Sequence, residues 1–206
     1  MFNSKPKDMK KLIIEFIGTL FLVMTIGISG NPLAIGAILM VMVYMGGHIS
    51  GAHYNPAVTV AILIRGKITM GEAVRYWIAQ IAGAFAGAGL AYYFKDGSTT
   101  VGFDDNMLVQ ALIGEVLMTF ALASVVLNVA TSGDTAGNSF YGLAIGFTVF
   151  AGAMVMGPIS GGAFNPAVSI GHNVLAGNYG DIWVHIVGPV AGASLAAFVY
   201  KLTNND

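Results

Sequence analysis

Two stretches decide the fold of this 206-residue chain: HISGAHYNPAV at residues 48–58 and PISGGAFNPAV at residues 158–168. Asparagine is among the best residues for capping a helix N-terminus, and proline is favoured at the first helical position. Each Asn-Pro-Ala tripeptide, Asn55-Pro56-Ala57 and Asn165-Pro166-Ala167, is therefore expected to start a helix. The apolar stretches that begin there, about 56–65 and 166–176, each correspond to roughly 15 Å of helix at 1.5 Å per residue.

The composition indicates that a lipid bilayer is the solvent of this chain. Hydrophobic residues make up 56% of the sequence and charged residues only 9%, against roughly 25% charged residues in soluble domains. Six segments are long and apolar enough to cross a hydrocarbon core of about 30 Å, at about 11–30, 33–49, 72–94, 107–129, 140–157 and 182–201. The two shorter stretches reach about half that thickness. We therefore expect an all-α membrane protein of six transmembrane helices and two re-entrant half-helices.

The sequence also repeats itself. EFIGTLF at residues 15–21 is echoed by EVLMTF at residues 115–120, and AGA at 82–84 by AGA at 191–193. Each half holds three spans, an odd number, so the second half must be inverted relative to the first. We expect one channel domain over 1–206, with a first inverted repeat at about 11–94 and a second at about 107–201. Such repeats place their shared site at the bilayer midplane.

The distribution of positive charge predicts the orientation. With the amino terminus in the cytoplasm, only Lys95 of the nine basic residues lies outside. The other eight lie inside: Lys5, Lys7, Lys10, Lys11, Arg65, Lys67, Arg75 and Lys201. Cytoplasmic loops carry an excess of Lys and Arg, so both termini are expected in the cytoplasm of a multi-pass cell-membrane protein. Beyond the amino-terminal cluster there is no basic patch for nucleic acid.

The two converging half-helices predict a pore that passes uncharged solutes. Both point their positive N-terminal ends at the midplane, where they oppose cations. Backbone carbonyls just before each Asn, such as those of His53 and Gly162, are expected to face the pore as acceptors. A water at the centre would accept hydrogen bonds from Asn55 and Asn165. Its oxygen is then occupied and cannot take a proton from the neighbouring water.

From about Lys11 to Lys201 the chain resembles the major intrinsic protein family, the aquaporins and aquaglyceroporins, through its doubled Asn-Pro-Ala motif. The resemblance implies a right-handed bundle of six spanning and two half-helices. It also implies a homotetramer in the lipid bilayer, with one pore per subunit for water and small neutral solutes. No cofactor is implied.

The resemblance also implies a constriction outside the paired Asn residues, lined here by Ile35, Ala153, Gly162 and Val168. Most members carry Arg at the position of Val168, and water-selective members usually add an aromatic residue and a His at the positions of Ile35 and Ala153. Four small or aliphatic residues predict a wider and less polar constriction. Some plant tonoplast members also carry Val there and are linked to water, urea and ammonia, whereas glycerol facilitators usually carry Asp where Ser169 stands. Water is expected to pass, and glycerol, urea and ammonia remain open.

Glu15 and Glu115 lie inside predicted spans, where an ionisable side chain is costly and suggests a function. Each is a candidate for a proton relay or for a scaffold that accepts hydrogen bonds from a re-entrant loop. Their equivalent positions in the repeat favour the scaffold, and His48 is expected to brace the first loop or line the pore. Metal ligands are not expected, because His48 and His53, which flank the first turn, would need partners, and His172 and His185 belong to other elements.

Three other functions compete with a channel for water and small neutral solutes. One is a broad aquaglyceroporin-like facilitator with water as a minor substrate. The second is a proton-coupled secondary transporter that uses Glu15 or Glu115. The third is a non-conducting structural membrane protein. An enzyme is not expected, because no nucleophile and base stand at a matching spacing.

Overall fold

The computed structural model describes residues 6–204, and Lys5, counted above on the cytoplasmic side, lies outside them. Eight α-helices follow one another: α1 Pro6–Ser29, α2 Pro32–Ser50, α3 Pro56–Arg65, α4 Met70–Lys95, α5 Leu108–Thr131, α6 Tyr141–Ser160, α7 Pro166–Ala176 and α8 Val184–Thr203. Two short 3-10 turns, Asp105–Met107 and Gly133–Thr135, complete the regular structure, and residues 6–204 contain no strand. The all-α membrane fold predicted from the sequence is confirmed.

Five of the six long helices, all except α4, are apolar enough to cross a membrane by length and composition. With 26 residues α4 is long enough, but it carries Glu72, Arg75 and Gln80. Glu72 and Arg75 form ion pairs with α1, Glu72 with Lys11 at 3.2 Å and Arg75 with Asp8 at 3.3 Å, whereas the third charged residue of α4, Lys95, is exposed in its last turn. Gln80 is completely buried. Glu72, Arg75 and Gln80 are thus paired with α1 or enclosed by protein, which suits a span whose polar face is turned away from lipid.

The half-helices α3 and α7 begin and end at the residues that the sequence predicts. The Oδ1 of Asn55 accepts from the backbone N–H of Ala57 at 2.8 Å, and the Oδ1 of Asn165 accepts from Ala167 at 3.0 Å. Each helix ends at a glycine in the left-handed region, Gly66 with φ 82° and Gly177 with φ 72°. Caps at both ends satisfy backbone groups that are costly to leave unpaired inside a membrane.

The helices pack in equivalent pairs. α1 packs along α4 as α5 packs along α8, α3 lies against α8 as α7 lies against α4, and α2 packs against α6. The closest approaches depend on glycine: a Cβ on Gly83 would overlap the carbonyl oxygen of Phe16, and one on Gly192 would overlap that of Val116. Since Phe16 and Val116 each follow a repeat-equivalent glutamate, the same contact is built twice. Small residues at such crossings let helix backbones approach each other in membranes.

Candidate functional site

The two Asn-Pro-Ala turns meet in the interior of the bundle. The Nδ2 of Asn55 donates to the backbone carbonyl of Phe164 at 2.8 Å, and the Nδ2 of Asn165 donates to the carbonyl of Tyr54 at 2.9 Å. Both Asn side chains are almost completely buried, at 4% and 3% exposure. Each Asn therefore binds the residue that precedes the other Asn, and the two turns are held to each other by these two hydrogen bonds.

This arrangement accounts for all but one hydrogen-bonding group of each Asn side chain. A side-chain amide has one acceptor oxygen and two N–H donors. The oxygen caps the half-helix and one N–H crosses to the opposite turn. Within residues 6–204 the second N–H of Asn55 and of Asn165 has no protein partner, so one donor from each is left for a solute.

Glu15 lies under the first turn and holds the loop before Asn55. One carboxylate oxygen accepts from the Ser50 hydroxyl at 2.7 Å and from the His53 N–H at 3.0 Å. The other accepts from the Tyr54 N–H at 2.7 Å and from the Gln80 amide at 2.9 Å. The side chain is completely buried, and four donors compensate its charge.

Glu115 holds the second loop in the same way, but with three donors. It accepts from the Ser160 hydroxyl at 2.8 Å, from the Ala163 N–H at 3.0 Å and from the Phe164 N–H at 2.7 Å. The donor corresponding to Gln80 is missing, because Pro189 occupies that place in α8. Both carboxylates thus contact loop donors, which is the scaffold arrangement.

These bonds also set the direction of the loop carbonyls. A trans peptide directs its N–H and the preceding C=O to opposite sides. The N–H groups of residues 52–54 and 162–164 all donate to Ser50 and Glu15 or to Ser160 and Glu115. The carbonyls of residues 51–53 and 161–163 are therefore turned away from the carboxylates. Their oxygens form two rows of hydrogen-bond acceptors, one row in each loop.

Beside the second row lies a cavity of about 20 Å³, against the roughly 10–15 Å³ that one water needs. Asn55 and Asn165 form its floor. Aliphatic residues and the second loop form its walls: Leu22, Ile26, Ile35, Leu122, Val149, Gly162, Ala163, Phe164 and Val168. The cavity has room for about one water, and every lining residue other than Asn55 and Asn165 is apolar.

Comparison with known proteins decides the family of the chain. The sequence model of the family described as "Major intrinsic protein" matches residues 25–200. This chain is a major intrinsic protein.

Its relatives include aquaporin NIP1-1 of Zea mays, 38% identical over 94% of this chain and 74% of the relative. Probable aquaporin TIP2-2 of Oryza sativa subsp. japonica is 37% identical over 94% of this chain and 87% of its own length. Nodulin-26 of Glycine max is 34% identical over 94% and 78%. The X-ray structure of the aquaglyceroporin from Plasmodium falciparum superposes with a TM-score of 0.81 over 95% of this chain and 96% of that one. At 21% identity that likeness shows the shared fold.

Membership of this family makes the chain a multi-pass membrane channel for water and small neutral solutes, and the proteins of the family are channels rather than enzymes. Its described residues contain no group of three or more His, Cys, Asp or Glu side chains that could hold a metal ion.

Two of the expected site residues of this major intrinsic protein, Ala153 and His48, do not line the cavity of about 20 Å³. Of the four residues expected at the constriction, Ile35, Gly162 and Val168 line this cavity and Ala153 does not, whereas Val149, one helical turn earlier on α6, does. Val149 could have been considered from the sequence, because it lies four residues before Ala153 and residues four apart share a face of a helix. Ile26 of α1 was missed as well, since α1 contributes no motif to the filter.

His48 is the second of these two residues. Its side chain is exposed at the end of α2 and forms no hydrogen bond within the described part of the chain. It borders a cavity of about 560 Å³ with Lys67 and the segment 129–138. The hydrogen bonds from the end of α2 to the first loop are made by Ser50, which binds Glu15 and the N–H of Ala52. Ser50 is close enough because it occupies the last position of α2, directly beside the loop.

Proposed function

We propose that this major intrinsic protein is a passive channel for water and small uncharged solutes, and that protons are stopped between Asn55 and Asn165. The observation that carries the proposal is the pair of reciprocal bonds between the turns. They fix both amides and leave one N–H of each for the solute at the meeting point of two helix N-termini.

A water between the two amides accepts both N–H groups, and its own hydrogens are directed outward. Its neighbours on each side donate to the carbonyls of residues 51–53 or 161–163. Because the central oxygen has no lone pair left for a further hydrogen, a proton cannot hop through it. The positive ends of α3 and α7 add an electrostatic barrier against hydronium and other cations.

The constriction outside the Asn pair sets which solutes pass. We propose that Ile35, Gly162 and Val168, together with Val149, form it, with Ala153 outside its wall. No cation stands there, so bulk and polarity are lower than in a filter that holds Arg. Two of the relatives, NIP1-1 and TIP2-2, are named aquaporins, which supports water as a solute of this pore. A broad facilitator with water as a minor substrate is the second candidate, favoured by the wholly aliphatic wall.

A proton-coupled carrier is disfavoured by the surroundings of the two glutamates. Glu15 and Glu115 are fully buried and accept bonds from the loops that they hold. A coupling site needs a carboxylate that exchanges protons with the permeation path.

The proposal extends to the assembly and to the orientation in the membrane. We expect both termini in the cytoplasm, from the eight-to-one distribution of basic residues. We expect a homotetramer in the cell membrane with one pore in each subunit, as the family resemblance implies.

The test is a set of stopped-flow assays on proteoliposomes with water, glycerol, urea and ammonia in parallel. We expect water and at least one of the three solutes to pass faster than through protein-free vesicles, with a low temperature dependence and no coupling to a pH gradient. Transport that follows an imposed pH gradient would contradict a passive pore. Permeability equal to that of empty vesicles would support a non-conducting protein instead.

A further inference from the structure

The hydroxyl of Thr59, on the second turn of α3, is completely buried and contacts three polar partners. Its Oγ1 lies 3.0 Å from the Asn55 carbonyl, 3.0 Å from the Gln80 Nε2 and 3.0 Å from the His53 Nδ1. A threonine hydroxyl donates one hydrogen bond and accepts two. All three places are therefore taken, and the direction of each bond can be assigned.

The Asn55 carbonyl only accepts, so the single hydrogen of the Thr59 hydroxyl goes to it. The Gln80 amide nitrogen donates to Thr59, and its other hydrogen goes to the Glu15 carboxylate at 2.9 Å. Exchanging the amide oxygen and nitrogen of Gln80 would set that oxygen against the carboxylate. The one remaining place at Thr59 is an acceptor, so the Nδ1 of His53 must carry a hydrogen and donate it.

The opposite ring nitrogen of His53 is then an acceptor, because a neutral imidazole has one donor and one acceptor. Within residues 6–204 this Nε2 bonds no protein atom. The ring lies edge to face against Tyr76, with centroids 5.0 Å apart, and borders a cavity of about 400 Å³. A Cβ on Gly51 would lie 3.3 Å from Nε2, so this nitrogen sits beside the first row of loop carbonyls.

We infer that Thr59, itself held by Gln80, is a positioning residue that fixes the tautomer of His53, so that Nε2 extends the row of acceptors from residues 51–53. The inference rests on the proposed channel function, which it deepens. The described loop groups that face the water file in this half of the pore, the carbonyls of residues 51–53 and the Nε2 of His53, then all accept, and the loop's donors to the file stand at the Asn pair. In the other tautomer an N–H would face the file and compete with the Asn amides for water oxygens.

The second half has no such relay. Ala163 stands in the place of His53 and Pro189 in that of Gln80. Ser169, the counterpart of Thr59, contacts the Nδ1 of His185 at 3.0 Å, and the Nε2 of His185 donates to the Ser160 carbonyl at 2.7 Å. His185 is completely buried. A pore-facing histidine with a fixed tautomer is therefore found in the half that contains α3, whereas the aliphatic constriction lies in the other half.

The test is nitrogen NMR of the full chain in lipid bilayers, labelled with ¹⁵N-histidine, at about pH 8, above the ordinary His pKa of about 6.5. The shifts of the two ring nitrogens distinguish the two neutral tautomers, and the signal of His53 is assigned by its loss in His53→Ala. We expect the Nδ1–H tautomer in the wild type. In Thr59→Val, of nearly equal shape, we expect the Nε2–H tautomer or a mixture. Thr59→Ser keeps the hydroxyl and should keep the wild-type signal.

The same proteoliposomes are then assayed for water permeability and for proton leak with a trapped pH dye. We expect Thr59→Val to raise the ratio of proton leak to water permeability severalfold, and Thr59→Ser to leave it unchanged. An unaltered His185 signal shows that the variant is folded.

An Nε2–H tautomer in the wild type overturns the inference and requires no variant. An unchanged His53 signal in Thr59→Val overturns the role of Thr59. A wild-type protein with the expected tautomer but no conduction overturns the proposed function alone and supports the tautomer assignment.

Discussion

At the scale of single residues, Asn55 and Asn165 each combine a cap, a bond across the two turns and a donor for solute. The cap needs only the side-chain oxygen, which Asp also has, whereas the crossing bond and the solute donor need the amide. Because of this difference, the helix cap can be tested separately from the two roles that need the amide.

We expect Asn165→Asp to keep α7 but to lose the bond to the Tyr54 carbonyl and the central donor. Water permeability should fall, and proton or cation conductance should appear, because a carboxylate now stands where two positive helix ends excluded cations. Asn31→Asp is the matched control. Asn31 caps α2 through the same oxygen, is exposed, and its amide makes no bond across the bundle. If both substitutions had equal effects in stopped-flow and leak assays, the amide of Asn165 would have no role beyond capping the helix.

Val168 carries the second prediction at this scale. It is 1% exposed and lines the cavity above the Asn pair. Val168→Arg adds bulk and charge there, and we expect glycerol or urea permeability to drop roughly tenfold, the equivalent of about 1.4 kcal/mol in the barrier, with a smaller loss for water.

The control is Leu175→Arg, which adds the same group to the same half-helix at a side chain that is 47% exposed. It should leave the ratio of solute to water permeability unchanged. If Val168→Arg left the ratio of solute to water permeability at its wild-type value, the constriction would lie elsewhere.

Sequence reasoning could find the residues whose role is set by backbone chemistry. Asn55 and Asn165 follow from the cap and from the doubled motif, and Glu15 and Glu115 from the cost of burying an unpaired charge. Val149 and Ser50 were not found. Which wall residue faces a cavity, and which side chain at a helix end reaches a loop, depend on the rotation of that helix about its axis, which motif spacing does not give.

At the scale of the helices, the glycine crossings decide how closely neighbours pack. We expect Gly192→Ala to lower stability by about 1–3 kcal/mol, because its Cβ would meet the backbone of Val116, which cannot rotate away. Gly89→Ala is the control: it lies in α4 with no atom within 4 Å of an added Cβ, and alanine favours a helix by about 1 kcal/mol. Thermal unfolding in detergent should separate the two, and equal midpoints would show that the crossing relaxes.

Helix ends show where the sequence is informative and where it is not. The half-helices match their predicted limits, because Asn-Pro at the start and glycine at the end are local signals. α1 begins at Pro6, earlier than the predicted start at about 11, and α4 begins at Met70 instead of about 72. Hydropathy identifies a helix only over its apolar residues, whereas the hydrogen bonds of the helix continue into the polar residues beyond them.

At the scale of the whole molecule, the predicted orientation can be tested with single cysteines, because the chain has none of its own. Ser98 lies exposed in the loop after α4, and Thr203 lies exposed at the end of α8. In intact cells a membrane-impermeant maleimide should label Ser98→Cys and not Thr203→Cys, and permeabilised cells should show both. The reverse pattern would place the termini outside.

The packing of each half-helix against the opposite half has a consequence for synthesis. α3 lies more extensively against α8 than against its neighbour α4, and Arg65 at its end stacks on the ring of Tyr200, 4.7 Å from the ring centre. The partner surface for the first half-helix thus leaves the ribosome only after α1 to α7 have been made. The first three spans can enter the membrane early, but the pore has no complete wall until α8 has been made. A ribosome that stops before α8 leaves a chain without a channel.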